Sequence, residues 1–254
     1  MSSNVNNTKK LVTIGDAQVG KSSLLYRLVH KQMPNINSAT IGAAFYCTEL
    51  KNCRLNMWDT AGQERFRSMV PVYLRDTDII FFVYDMSDLK SFEHLRDYWV
   101  DFALTHSCKD GHSRPNPTMS MPQLPKRSIS YVNNTRMDTR NIQNDRTYHV
   151  NENGPLCIIV ANKCDLSNNI VPNSAGIELA EKIGGSFIET SAKMGTNTEK
   201  LLKYVEDNLS DSPDSIHKRE SVIATNPDSH GIVILNDAKN YISDLVTPVT
   251  NCNC

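Results

Sequence analysis

The chain has 254 residues, a length suited to one or two domains. Hydrophobic residues make up 39% and charged residues 22%, enough for a sizeable apolar core, which excludes global disorder. The formal net charge of -1 argues against a strongly basic nucleic-acid binder.

In chain order, residues 1–9 read as a flexible polar arm without the apolar stretch of a secretory signal. KLVTI at 10–14 predicts a short strand that enters a glycine loop. SSLLYRLVHK at 22–31 predicts a helix, its leucines spaced by three and four. Paired strands are expected over 43–50 and 54–58. Residues 77–84 carry DIIFFVY, a nearly continuous apolar run that suits a strand covered on both faces. Residues 92–103 predict a helix with Leu95, Trp99 and Phe102 on one stripe. The periodicity then stops. Residues 107–153 hold four prolines and seven asparagines, with seven basic and four acidic side chains. They read as a disordered insertion, because burial would not repay the ordering of that backbone. LCIIV, within 155–161, predicts a second buried strand. A helix over 174–183 stops at Gly184 and Gly185, followed by a short strand over 186–189 and a last helix over 198–209. Residues 210–254 read as a flexible tail. Its GIVIL, at 231–235, is either a docking segment or a chance apolar patch.

Strands alternating with helices predict a three-layer α/β fold over 10–209. The expected sheet is mostly parallel and six-stranded, with helices on both faces and the insertion hanging from an αβ connection. No run approaches the roughly 18 apolar residues of a spanning helix. Seven cysteines, an odd count with no C-x-x-C pair, favour a reducing compartment.

GDAQVGKS at 15–22 matches G-x-x-x-x-G-K-[ST], and it follows a predicted strand and opens a predicted helix. Gly15 and Gly20 let backbone amides converge on phosphate oxygens, with Ala17, Gln18, Val19 and Ser23 completing the loop and the helix start. Lys21 supplies a cation for the outer phosphates, and the Ser22 hydroxyl can ligate magnesium. NKCD at 162–165 selects the base. The Asp165 carboxylate can accept from guanine N1–H and its 2-amino group, a pairing that adenine does not offer. Asn162 can hold the loop and Lys163 can lie over the ring. SAK, which is Ser191, Ala192 and Lys193, can present the Ala192 amide to guanine O6. In WDTAGQERFRS at 58–68, Asp59 suits the magnesium shell through water. Gly62 can donate its amide to a terminal phosphate, and Gln63 can orient a water. Thr40 can add a second hydroxyl to magnesium. Loss of the terminal phosphate would remove the Thr40 and Gly62 contacts, leaving two segments ordered in one nucleotide state only.

Taken together, GDAQVGKS, TIG at 40–42, WDTAGQERFRS, NKCD and SAK resemble a small GTPase of the Ras superfamily, specifically the Rab family. The resemblance covers roughly 10–106 and 154–209 and implies a P-loop NTPase G domain. TIGAAF at 40–45 resembles the early-endosomal branch. The implied roles are phosphate binding and catalysis by Lys21, water positioning by Gln63, and magnesium ligation by Ser22 and Thr40. The guanine set would be Asn162, Lys163, Asp165 and Ala192, and Phe45, Trp58 and Tyr73 would form an aromatic triad that effectors read. The implied cofactors are GTP or GDP and Mg2+. The implied partners are an exchange factor, a GTPase-activating protein, prenylation escort and membrane-extraction proteins, and membrane-tethering effectors, with no nucleic acid. The resemblance also implies residence on the cytoplasmic face of intracellular membranes, endosomal ones in particular, with a cytosolic pool.

Three features depart from the pattern. Met33 stands where relatives usually place an aromatic against the guanine ring, and a thioether there packs less rigidly. Ala17 and Gln18 occupy the middle of the phosphate loop, where Gln18 has no evident role. The insertion is absent from typical relatives, and its distance from the motifs in chain order predicts that it spares catalysis. The terminal NCNC places Cys252 and Cys254 in C-x-C form, for which the resemblance implies two geranylgeranyl groups. Residues 211–254 carry three basic and six acidic side chains, so the lipids would anchor without polybasic help. Rival readings are a non-cycling guanine-nucleotide scaffold and an adenine-nucleotide kinase, the latter opposed by NKCD. A nuclear-transport switch is opposed by the terminal cysteines.

Overall fold

A computed structural model describes residues 7–34, 39–107, 154–209 and 232–233. Strand β1 (Thr8–Ile14) begins two residues inside the expected arm, and its last four positions are buried. The loop that follows leads into α1 (Lys21–His30), which turns Leu24, Leu25 and Leu28 inward as the leucine spacing predicts. The hairpin of β2 (Ala43–Glu49) and β3 (Arg54–Thr60) is antiparallel, with Phe45 opposite Trp58. A 3-10 turn over Glu64–Met69 runs into α2 (Val70–Leu74), a helical stretch that the sequence pattern did not signal.

Strand β4 (Ile79–Asp85) is buried at all seven positions. Its period of two sends Ile80, Phe82 and Tyr84 into one core and Ile79, Phe81 and Val83 into the other. The helical segment after it is longer than expected. Helix α3 (Leu89–His94) passes through a π turn (Leu95–Trp99) into α4 (Val100–His106). Then come β5 (Leu156–Asn162), α5 (Asn173–Lys182), β6 (Ser186–Glu189) and α6 (Thr198–Leu209).

The sheet order is β2-β3-β1-β4-β5-β6-β7. β1, β3, β4, β5 and β6 are mutually parallel, as expected of α/β layering. To the six expected strands the structure adds β7 (Ile232–Val233), antiparallel to β6 and drawn from the GIVIL segment. Residues of α2, α3, α4 and α5 close one face, and α1 and α6 the other. The parallel strands all end on one edge of the sheet, the edge where open α/β sheets bind ligands. No helix among the described residues is long and apolar enough to cross a membrane. Most of the 107–153 insertion, the Cys252 and Cys254 tail and the first six residues lie outside the described residues.

Candidate functional site

At that edge a cavity of about 920 Å³ reaches from the 15–22 loop to the NKCD and SAK loops. Gly20 closes the loop with a positive φ of 97°, and a Cβ there would collide with the Asn162 amide group. The missing side chain lets Asn162 Nδ2 donate to the Val19 carbonyl at 2.8 Å. Asn162 Oδ1 accepts from the Ala192 amide at 3.2 Å and from Thr190 Oγ1 at 3.3 Å. One buried side chain thus joins the phosphate loop, β5 and the SAK loop. The expected Ala192 amide points to Asn162 in this structure.

Lys21 is 5% exposed, and its Nζ donates to the carbonyls of Gly15 (2.9 Å) and Asp16 (2.6 Å). Burial pulls its pKa down from 10.5 to about 8, against the opposing charges of Asp59 and Asp16. Ser22 Oγ donates to Asp59 Oδ2 at 2.5 Å, and Thr40 Oγ1 donates to the same oxygen at 3.1 Å. The two hydroxyls are 2.8 Å apart. Burial raises the Asp59 pKa, opposed by the Ser22 bond, by Lys21 and by bonds from Thr40 and Thr13. Two hydroxyls and a carboxylate make an all-oxygen donor set, which fits a hard cation such as Mg2+ that also takes waters and phosphate oxygens.

Gly62 lies so close to the Asp16–Ala17 peptide that a Cβ would collide with it, so the 62–63 segment abuts the phosphate loop. Gln63 lines the cavity, and its Oε1 accepts from Arg65 Nε at 2.8 Å. At the other end Asp165 Oδ1 accepts from Ser191 Oγ at 2.6 Å. Lys163, with φ 66°, reaches Asp85 Oδ2 at 2.6 Å. Burial would raise the Asp85 pKa, but the bonds from Lys163 and Ser87 outweigh it and hold the carboxyl below its ordinary value. Ala17, Gln18, Ser23, Met33 and Lys193 also line the cavity, whereas Gly15, Val19 and Ser191 are not among its lining residues. Gln18 bends the loop at φ 67°.

On the neighbouring surface Phe45, Trp58 and Tyr73 form one aromatic row. The ring centroids are 5.1 Å apart for the first pair and 5.2 Å for the second, and Phe45 is 49% exposed. Several contributors escaped the sequence reading. Arg27 on α1 donates to the Ala192 and Lys193 carbonyls, at 2.8 and 2.5 Å, and so pins the SAK loop. Asp16, inside the phosphate motif, is held by His94 and Trp99. Partners this far apart in the chain leave no local pattern to find.

A family model described as Ras family matches residues 10–113 and 129–211, leaving 114–128 unmatched inside the expected insertion. Ras-related protein Rab-5B of Plasmodium falciparum (isolate 3D7) is 34% identical over 210 residues, covering 79% of this chain and 77% of that protein. The family match spans well over half of the chain and lies on a three-layer sheet with the phosphate loop at its carboxyl edge. The chain therefore belongs to the Ras family of small GTPases, switches that bind and hydrolyse guanine nucleotides, and is related to the Rab-type proteins.

Proposed function

We propose that the chain cycles between GTP and GDP as a switch of membrane traffic on the endocytic route. The observation that carries the nucleotide assignment is a single cavity with two chemically distinct ends. Lys21, Ser22, Thr40 and Asp59 stand at one end, and Asp165, Lys163 and Lys193 at the other. In this reading Asp165 accepts from the guanine ring, with Ser191 fixing its carboxylate. Lys21 and the amides of the loop hold the phosphates.

The reaction is GTP plus water to GDP plus phosphate, with water attacking in line at the terminal phosphorus. Ser22 and Thr40 would hold Mg2+, with Asp59 acting through water. The ion, when bound, neutralises charge on the phosphate oxygens. Gln63 orients the attacking water once its Oε1 leaves Arg65. Unaided turnover is then slow, on the order of 10⁻⁴ per second as in Ras itself, and an activating protein's arginine accelerates it.

Loss of the terminal phosphate releases Thr40 and Gly62, and their movement alters the adjoining Phe45–Trp58–Tyr73 row that effectors would read. The TIGAAF segment, which resembles the early-endosomal branch, supports the endocytic assignment, and similarity to a protein named Rab-5B supports the Rab-type reading. Prenyl groups on Cys252 and Cys254 would hold the chain on the cytoplasmic face of endosomal membranes. An exchange factor, escort and extraction proteins, and tethering effectors would serve the cycle.

Competition binding and single-turnover hydrolysis test this reading. GTP should displace labelled GDP and ATP should not. Asp165→Ala should lose on the order of 100-fold or more in GTP affinity, since two charge-assisted hydrogen bonds go. Gln63→Leu should slow hydrolysis about tenfold or more. Equal hydrolysis by the wild type and Gln63→Leu would instead favour a scaffold that does not cycle, and equal ATP binding would overturn the assignment.

A further inference from the structure

The π turn between α3 and α4 is where the Val100 amide reaches back five residues to the Leu95 carbonyl. In a regular α-helix, residues five apart stand about 140° apart around the axis. A widened turn narrows that angle, and such turns are frequent at functional sites. Here the flanking pair His94 and Trp99 converges on one atom. Asp16 Oδ1 in the phosphate loop accepts from His94 Nδ1 at 2.6 Å and from Trp99 Nε1 at 2.8 Å.

The other side of the imidazole faces the segment that follows Gly62. His94 Nε2 lies 3.3 Å from Arg67 Nη2. The Arg67 guanidinium lies over the rings of Tyr98 (4.8 Å) and Trp99 (5.3 Å). Its Nε is buried without a hydrogen-bond partner among the described residues. An imidazole that donates from Nδ1 to a carboxylate keeps a lone pair on Nε2, and that lone pair accepts from the guanidinium. Asp16 is also well placed to transmit what happens at its side chain. Its carbonyl receives Lys21 Nζ, and its peptide is the surface against which Gly62 packs.

We propose that His94, with Trp99, is a positioning residue that clasps the Glu64–Met69 turn to the phosphate loop through Asp16 and Arg67, so that nucleotide release and hydrolysis answer to the same imidazole. It rests on the reading of the cavity as a guanine-nucleotide site. The two halves of the clasp are separable by shape. In His94→Asn the amide occupies the Nδ1 position and keeps the Asp16 bond. In His94→Gln the amide occupies the Nε2 position and keeps the Arg67 bond. His94→Phe keeps the stacking on Tyr98, now at a centroid distance of 5.2 Å, and keeps neither polar contact.

The test measures release of fluorescent GDP, single-turnover GTP hydrolysis, and amide hydrogen exchange over residues 64–69 for the full chain and these three variants. His94→Phe should release GDP about tenfold faster, hydrolyse GTP several-fold more slowly, and lose protection over 64–69. His94→Asn should restore the release rate without restoring protection over 64–69, and His94→Gln should do the reverse. His94 is partly exposed, with a side chain 29% accessible, so all three variants should fold, which circular dichroism checks. If the wild type binds and hydrolyses GTP while all three variants stay within twofold of it, the clasp is overturned and the nucleotide site stands. Uniform loss in all three variants, with no selective rescue, also overturns it. Failure of the wild type to bind GDP removes the nucleotide reading itself, and the clasp with it.

Discussion

Lys21 holds its ammonium inside the protein on two carbonyl oxygens, with carboxylates as its nearest counter-charges. Its pKa of about 8 in the folded chain lies below the ordinary 10.5. Between those values the unfolded chain binds more protons than the folded one. The nucleotide-free protein therefore gains stability as pH rises through that window. Binding works in the opposite sense. Phosphate oxygens favour the charged amine, so above about pH 8 a nucleotide can bind only with proton uptake. GDP affinity should then fall by up to about tenfold per pH unit between roughly pH 8 and 9. Equilibrium titrations of GDP across that range check it, with Lys21→Met as the reference that lacks the slope. Equal slopes in the two proteins would assign the titration to another group.

The elements show how far the one-dimensional pattern reaches. β4 was legible because seven buried residues in a row admit few structures besides a strand covered on both faces. The loops at 15–22, 58–68 and 162–165 were legible because each packs its chemistry into one contiguous string. Glu64–Leu74 was not, since ERFRS is polar, Pro71 interrupts the pattern, and the turn is held by its neighbours. The brackets Asn162–Val19, Arg27–Ala192 and His94–Asp16 join residues 143, 165 and 78 positions apart, and such pairs carry no periodicity. The π turn is the sharpest case. Leu95, Trp99 and Phe102 have the spacing of an ordinary α-helical stripe, yet Val100 bonds five residues back and Phe102 is only partly buried. Deleting Asp97, which is exposed and paired only with its neighbour Arg96 in the ion pairs described, lets the segment close into regular α-helix. Thermal stability should hold or rise, because a π turn is a strained insertion. GDP release should stay within about twofold of the full chain, because His94 and Trp99 then stand four residues apart, about 40° around a regular helix, and both still reach Asp16. Thermal melts and release kinetics on one preparation check both expectations. Faster release after the deletion would show instead that the extra residue is what brings His94 and Trp99 together on Asp16.

At the scale of the whole molecule, the parallel strands separate the chemistry from the insertion. α4 ends at His106, and the chain re-enters the sheet at Leu156, whose amide donates to the Asp78 carbonyl just before β4 begins. The cavity lies at the opposite ends of the same strands, beside Asp85 and Asn162. Seven residues of β4 span about 20 Å, so the chain leaves α4 at His106 and re-enters at Leu156 at the end of the sheet opposite the cavity. The stretch that the family match skips, 114–128, lies within that excursion. Removing it shortens the connection from about 47 to about 32 residues, which changes loop-closure entropy by only about 0.3 kcal/mol. Neither of its anchor points moves, since α4 and β5 are fixed in the core by Val100, Ala103, Ile158 and Ile159. The deletion variant should therefore bind GDP and hydrolyse GTP within about twofold of the full chain, while any partner that reads the insertion is lost. Single-turnover hydrolysis beside a melt of the same sample decides it. A folded variant that no longer hydrolyses GTP would mean that the far side of the sheet reaches the phosphate loop, and the helix that carries His94 would be the route to examine.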